Sequence, residues 1–263
     1  MAAGVSGSAV AVTVATTDRR ATAGFLALFG FRSDGDDRLV VPGGAAVAVE
    51  LTGATGAGRA PRDFEQGPRA LDLYTVDLDG VLGDAAAAGW ATSGPGTVAI
   101  GPVTMRQAMV VGPDGLAVVL VESTHRRSSL LDDEPGRRCS EPHSVVWCVP
   151  DLDAESSRWE AAGWTKGMDL AFSEPAVSDY LGLPRSPVPI RMTMLSGPDV
   201  EPVRLELLEF PDDPGPAAPG HGAAGLRGLA FVVDEPEVVA AALRIDPATG
   251  RTPGGIQVAL RPG

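Results

Sequence analysis

Four times along this chain an apolar, strand-like run ends in an acidic turn. The runs are SAVAVTVATTD (8–18), RALDLYTVDLD (69–79), HSVVWCVPDLD (143–153) and RGLAFVVDEPE (227–237). Each is rich in β-branched or aromatic residues, and an acid stands where a helix N-cap belongs. A helical stretch follows. In three copies it stops at glycine plus an aromatic: FGF at 29–31, AGW at 88–90 and AGW at 162–164. Glycine there suits a helix C-cap, and the aromatic can open the next strand. The turns PGGA (42–45), GPDG (112–115), GPDV (197–200) and PGGI (253–256) come next. They lead into closing strands VAVEL (47–51), AVVLVE (117–122), VRLELLEF (203–210) and IQVAL (256–260). A period of this length makes one supersecondary unit the building block.

The unit is therefore strand, helix, then two or three antiparallel strands, with the fourth copy abbreviated. The fold class expected is α+β, tandem βαβββ modules paired into two curved mixed sheets. Loop-like joins lie at 53–68, 123–142 and 211–225, and the middle one is the longest and most charged. That places a first domain at 1–123 (modules 8–52 and 69–123), a linker at 124–141 and a second domain at 142–263 (modules 142–210 and 225–263).

The module resembles those of the vicinal oxygen chelate superfamily, which includes glyoxalases, bleomycin-resistance proteins and extradiol dioxygenases. CVPDLDAESSRWEAAGW followed by LELLEF carries the resemblance most specifically. It implies paired modules curved around a ligand cavity. In many members four inward positions hold a divalent metal, a His or Gln on each first strand and a Glu on each last strand. Carried onto this chain, the acid positions are Glu50, Val119, Glu206 and Ala259. The first-strand positions are Ala9, Leu71 (or Ala70 with a one-residue gap), Ser144 and Gly228. Each cavity would keep one carboxylate and no imidazole, too few donors for a tight metal site. A one-residue register shift would turn His143 inward, still without a full set. His221 and His125 fall in linkers. No metal and no cofactor are expected.

The candidate catalytic residues are Glu206, Glu50 and His143. Candidate substrate-binding residues are Ser144, Cys148, Tyr180, Arg191, Arg204 and Gln257. Glu206 reads either as an ion pair with Arg204 or Arg191, or as a general acid/base whose pKa burial raises and arginine lowers. Cys148 has no local base to activate it and reads as a small core residue. The segment 172–189 is placed where a cavity lid could lie.

A net charge of −13 disfavours a nucleic-acid partner, because phosphate contacts need a basic face. No run of 18 apolar residues is present, so no membrane helix is expected. The start lacks a basic signal region, and two cysteines are too few for a disulfide framework; both point to the cytoplasm. The reading is a metal-independent tailoring enzyme doing acid/base chemistry (cyclisation, dehydration or isomerisation). The tailoring role is what the resemblance implies, with a carbonyl-rich small molecule such as an aromatic polyketide of secondary metabolism as substrate. The protein would be a monomer or homodimer. An antibiotic-sequestering protein is the alternative, and a glyoxalase- or dioxygenase-like metalloenzyme the third.

Overall fold

The computed structural model describes residues 11–43, 48–100, 103–197, 203–213, 215–216 and 224–262. The first module comprises β1 (Ala11–Thr16), α1 (Arg19–Ala27), β2 (Arg32–Ser33), β3 (Arg38–Val40) and β4 (Ala48–Gly53). The second runs through β5 (Gly67–Thr75), α2 (Leu78–Ala87), β6 (Ala91–Thr92), β7 (Gly96–Ile100), β8 (Val103–Val111) and β9 (Ala117–Ser123). After the short helix α3 (Leu130–Asp133), the third holds β10 (Cys139–Cys148), α4 (Leu152–Ala161), β11 (Thr165–Phe172), α5 (Pro175–Tyr180), β12 (Ile190–Ser196) and β13 (Arg204–Glu209). The fourth keeps β14 (Gly225–Val233), α6 (Pro236–Leu243) and β15 (Gln257–Pro262). Ala9 and His221 lie outside the described residues.

Local chemistry sets the module boundaries. Asp18, Asp77 and Asp151 each accept a backbone N–H from the first turn of α1, α2 and α4. Those bonds satisfy donors the helix itself cannot. Gly30, Gly89 and Gly163 follow the same helices at φ of 93°, 86° and 94°, in the left-handed region that favours glycine. The abbreviated module departs at both ends. Glu235 makes no side-chain cap to α6, and Arg244 takes the left-handed position at φ 52°.

The sheets pair modules out of chain order. One sheet runs β15-β14-β1-β4-β3-β2 and joins the first module to the fourth. The other runs β11-β12-β13-β10-β5-β9-β8-β6, with β7 on β8, and joins the second to the third. The expected grouping into 1–123 and 142–263 would separate β5 from β10. These strands are instead antiparallel neighbours, with Ser144 opposite Asp72 and Val145 opposite Leu71. The 124–141 segment is bound to that ladder and already contains the start of β10. Arg138 O accepts from Val76 N, and Ser140 Oγ accepts from Tyr74 N.

Helices cover one face of each sheet, and the two helix layers share a core. Leu71, Leu73, Val145, Trp147, Leu205 and Leu207 meet Phe25, Leu26, Leu78, Trp159 and Phe231 there. Helix-side contacts do follow chain order: Phe25 sits 5.3 Å from Trp90, and Trp159 sits 5.9 Å from Phe231. The opposite face of the 2–3 sheet carries a second cluster, including Ala70, Tyr74, Val119, Val146, Cys148, Met192 and Leu208. The corresponding face of the 1–4 sheet is nearly bare, with Ala11, Ala48 and Ala230 packed under Val40. Among the described residues, the 2–3 sheet has the larger apolar cluster on that face. No helix among the described residues is long and apolar enough to cross a membrane.

Candidate functional site

A cavity of about 250 Å³ opens on the face of the 2–3 sheet away from the helices. Its floor is polar. Asp72 and Tyr74 rise from β5, His143 from β10, and Arg204 and Glu206 from β13. Four of the six methionines, Met105, Met168, Met192 and Met194, form much of the wall. Tyr180 of α5 closes one side, within the segment expected to act as a lid.

Strand alternation explains this set once the register is known. Leu71, an expected ligand position, faces the helix core, while Ala70 faces the cavity side. The alternative one-residue gap is therefore the correct register, and it turns Asp72 and Tyr74 inward as well. At β10 the pairing slips: Pro142 opposes Leu73 and Ser144 opposes Asp72, leaving His143 as the extra residue of a bulge. A bulge re-aims a side chain. Here both His143 and Ser144 reach the site.

Ser144 is fully buried, and its hydroxyl bridges two carboxyls, at 3.1 Å from Asp72 Oδ2 and 3.3 Å from Glu206 Oε2. The two carboxyls are close enough for the Glu206 charge to act on Asp72, and Asp72 Oδ1 is buried with no hydrogen-bond partner among the described residues. Burial pushes the Asp72 carboxyl well above the ordinary carboxylate range, and the Glu206 charge pushes it further. Burial also raises Glu206, but Arg204 opposes the shift. Asp72 is therefore the more strongly raised of the two and the one that more readily keeps a proton.

His143 stacks on Tyr74 with ring centroids 3.9 Å apart. Arg204 Nη2 lies 3.1 Å from its Nδ1 and 3.4 Å from the Tyr74 hydroxyl. A guanidinium can only donate, so Nδ1 accepts and the imidazole proton sits on Nε2. Nε2 is buried with no hydrogen-bond partner among the described residues. Burial, then the charges of Arg204 and Arg127, hold this imidazole well below its usual pKa, so it stays neutral. Burial, then Asp72 and Glu206, push the Tyr180 phenol well above its usual value.

The other candidates fall elsewhere. Arg191 lies on the helix side of β12, paired with Asp153 at 2.7 Å and Glu209 at 2.9 Å, so it cannot serve the cavity or Glu206. Cys148 is buried in the cluster beneath the cavity, and burial raises its thiol pKa, as a core residue requires. Glu50 and Gln257 belong to the 1–4 sheet. Glu50 forms a two-pronged ion pair with Arg261 at 2.7 and 2.6 Å, which lowers its pKa. Gln257 stands opposite Gly228. His125, read as a loop residue, lines the cavity with Arg127.

The inward ligand positions of the 2–3 pair are Ala70, Val119, Ser144 and Glu206. Among the described residues no three His, Cys, Asp or Glu side chains are placed to hold a metal ion. Asp72 adds a second carboxyl, engaged by the Ser144 hydroxyl, which still leaves fewer than three such donors together. This donor set does not fit the metal that the fold family often carries.

The chain has the fold of solved vicinal oxygen chelate proteins. Glyoxalase I from Zea mays aligns at 18% identity and a TM-score of 0.62, covering 97% of this chain and 92% of that one. A protein proposed to be a dioxygenase from Bacillus subtilis aligns at 9% identity and a TM-score of 0.59, covering 98% and 86%. No protein-family model matches the chain. A search of curated proteins likewise finds no match.

Proposed function

We propose that this vicinal oxygen chelate fold catalyses proton transfer on a carbonyl-bearing, largely apolar small molecule held between its second and third modules. The carrying observation is the Asp72–Ser144–Glu206 group, a buried and a half-buried carboxyl joined by one hydroxyl at the floor of a methionine-walled cavity. Such a pair offers a base and an acid side by side near neutral pH.

Glu206 is the base that removes a proton from carbon next to a ketone. Ser144 and protonated Asp72 orient it by donating to its oxygens. The charge then develops on the ketone oxygen, where His143 Nε2–H and the Arg204 guanidinium are the available donors. A neutral imidazole can act as an electrophile there without giving up its proton fully. Return of the proton to another carbon gives isomerisation. Loss of a β-hydroxyl gives dehydration, and attack of the enolate carbon on a second carbonyl gives cyclisation. Methionine walls adapt to flat, irregular ring systems, which supports an aromatic polyketide as substrate and, with it, a tailoring role.

The same methionine wall would also suit a protein that binds such a molecule without altering it. Glu206→Gln separates the two. With an enolisable aromatic ketone as substrate, the enzyme reading requires turnover to fall roughly 10²–10⁴-fold with little change in affinity. Glu50→Gln, on the other sheet, serves as control and should leave turnover intact. Binding without turnover in the wild type would establish a sequestering protein instead. Normal turnover in Glu206→Gln beside a collapse in Glu50→Gln would move the chemistry to the 1–4 sheet.

A further inference from the structure

A second cavity, about 290 Å³, shares no lining residue with the first. It lies where the two sheets meet. Its walls come from the 57–69 strap that leads into β5, the turn at Gly115, the start of β14 and Arg251 ahead of β15. Among the described residues four arginines face it, Arg59, Arg69, Arg227 and Arg251, against a single acid, Glu65. In a chain of net charge −13, such a concentration is not general basicity.

The site is rigid. Asp114 ties the strap to the first module, accepting from Thr16 Oγ1 at 3.0 Å, Thr17 N at 2.8 Å and Gly58 N at 3.5 Å. A Cβ at Gly58 would stand 2.2 Å from Asp114 O, and one at Gly115 would stand 1.9 Å from the Arg59 carbonyl carbon. Only glycine permits backbones this close.

Among the described residues, the charges of Arg69 and Arg251 in this wall are not balanced. Glu65 is taken by Arg59, with Nη1 2.9 Å from Oε2. Arg69 is 3% exposed; its Nη2 donates to the Asp63 carbonyl at 2.5 Å and its guanidinium lies over the Phe210 ring. Its Nη1 is buried with no hydrogen-bond partner, as is Nε of Arg251. Neither arginine has an ion pair among the described residues. Arg251 is also close enough to lower the pKa of Arg227, after burial. A buried guanidinium stays charged and is costly to leave uncompensated.

We propose that this cavity binds a phosphate-bearing small molecule, with Arg69, Arg227 and Arg251 holding the phosphoryl oxygens. A carboxylate brings one charge and two oxygens. A phosphate monoester brings nearly two charges and three acceptor oxygens, which matches several converging guanidinium forks. The cavity volume, near the lower end for ligand pockets, leaves room for a small organic group beside the phosphoryl.

Calorimetry and thermal melting at fixed ionic strength test this with inorganic phosphate, pyrophosphate, acetate and chloride. Phosphate and pyrophosphate should bind saturably and raise the melting temperature, while acetate and chloride should not. Arg227→Gln and Arg251→Gln should each weaken pyrophosphate at least tenfold, whereas Glu206→Gln should leave its affinity unchanged. A crystal structure with pyrophosphate places the anion whatever the variants' stability, and density between Arg69 and Arg251 is expected. Density elsewhere, an equal response to acetate or chloride, or unaltered affinity in both arginine variants would overturn the proposal.

Discussion

Asp72→Asn tests whether the carboxyl pair holds a proton, without needing a substrate. Asparagine keeps the size of a protonated aspartic acid and can still donate to Glu206, but it cannot ionise. In the wild type the folded-state pKa of Asp72 is raised, so between its unfolded pKa of about 3.9 and its folded pKa the native state binds one proton more than the unfolded state. Its contribution is therefore fully present below the unfolded pKa and is lost as pH rises to the folded one. The slope for one proton is about 1.4 kcal/mol per pH unit. Depressed carboxylates such as Glu50 and Asp114 act in the opposite sense, but they are common to both proteins and cancel in the difference. Urea unfolding of both proteins in steps from pH 4.5 upward should show the variant gaining on the wild type by about 1.4 kcal/mol per unit, levelling off at the folded pKa. Parallel stability curves across that range would mean that Asp72 is ionised in the native state and that no proton is shared.

Four further outcomes follow from the same geometry. Glu155 is fully buried and accepts from Trp159 Nε1, Thr252 Oγ1 and Gly254 N, tying α4 to the loop before β15; Glu155→Ala should cost about 3–5 kcal/mol by denaturant unfolding. Elemental analysis of purified protein should find no stoichiometric transition metal, because Ala70 and Val119 stand at two of the four ligand positions; about one metal per chain, with chelator-sensitive activity, would contradict it. Proteolytic nicking between 124 and 138 should leave the fragments associated through the β5–β10 ladder, and their separation as folded halves would restore the chain-order domains. Arg204→Met should raise the pKa of His143, whose imidazole loses a neighbouring charge, and histidine NMR titration would show it.

The parts of this fold legible in the sequence are those decided within a few residues. The caps at Asp18, Asp77 and Asp151 and the glycines at 30, 89 and 163 sit in the structure where their local chemistry places them. Glu206, Ser144, Arg204 and Tyr180 were also legible, because alternation along β13 and β10 and the position of the 172–189 segment sufficed. Asp72 was not. Choosing Leu71 rather than Ala70 as inward reverses the face of every β5 side chain, which puts Asp72 on the helix side and out of the candidate set. His143 needed a bulge that only the pairing of β10 with β5 creates. Arg261, the partner of Glu50, is 211 residues away and became visible only when the fourth module was found beside the first. Long-range pairing, unlike capping, leaves no local signature.

The central claim is that Glu206, oriented by Asp72 and Ser144, moves protons to and from carbon. It is tested most directly by hydrogen–deuterium exchange at the position next to the carbonyl of a bound aromatic ketone, followed by NMR in deuterated buffer near pH 7. The wild type should exchange that position well above the buffer rate. Glu206→Gln should lose the acceleration by roughly 10²–10⁴-fold while still binding the ketone. A bound ketone that exchanges no faster than in buffer, or equally fast with Glu206→Gln, would contradict it.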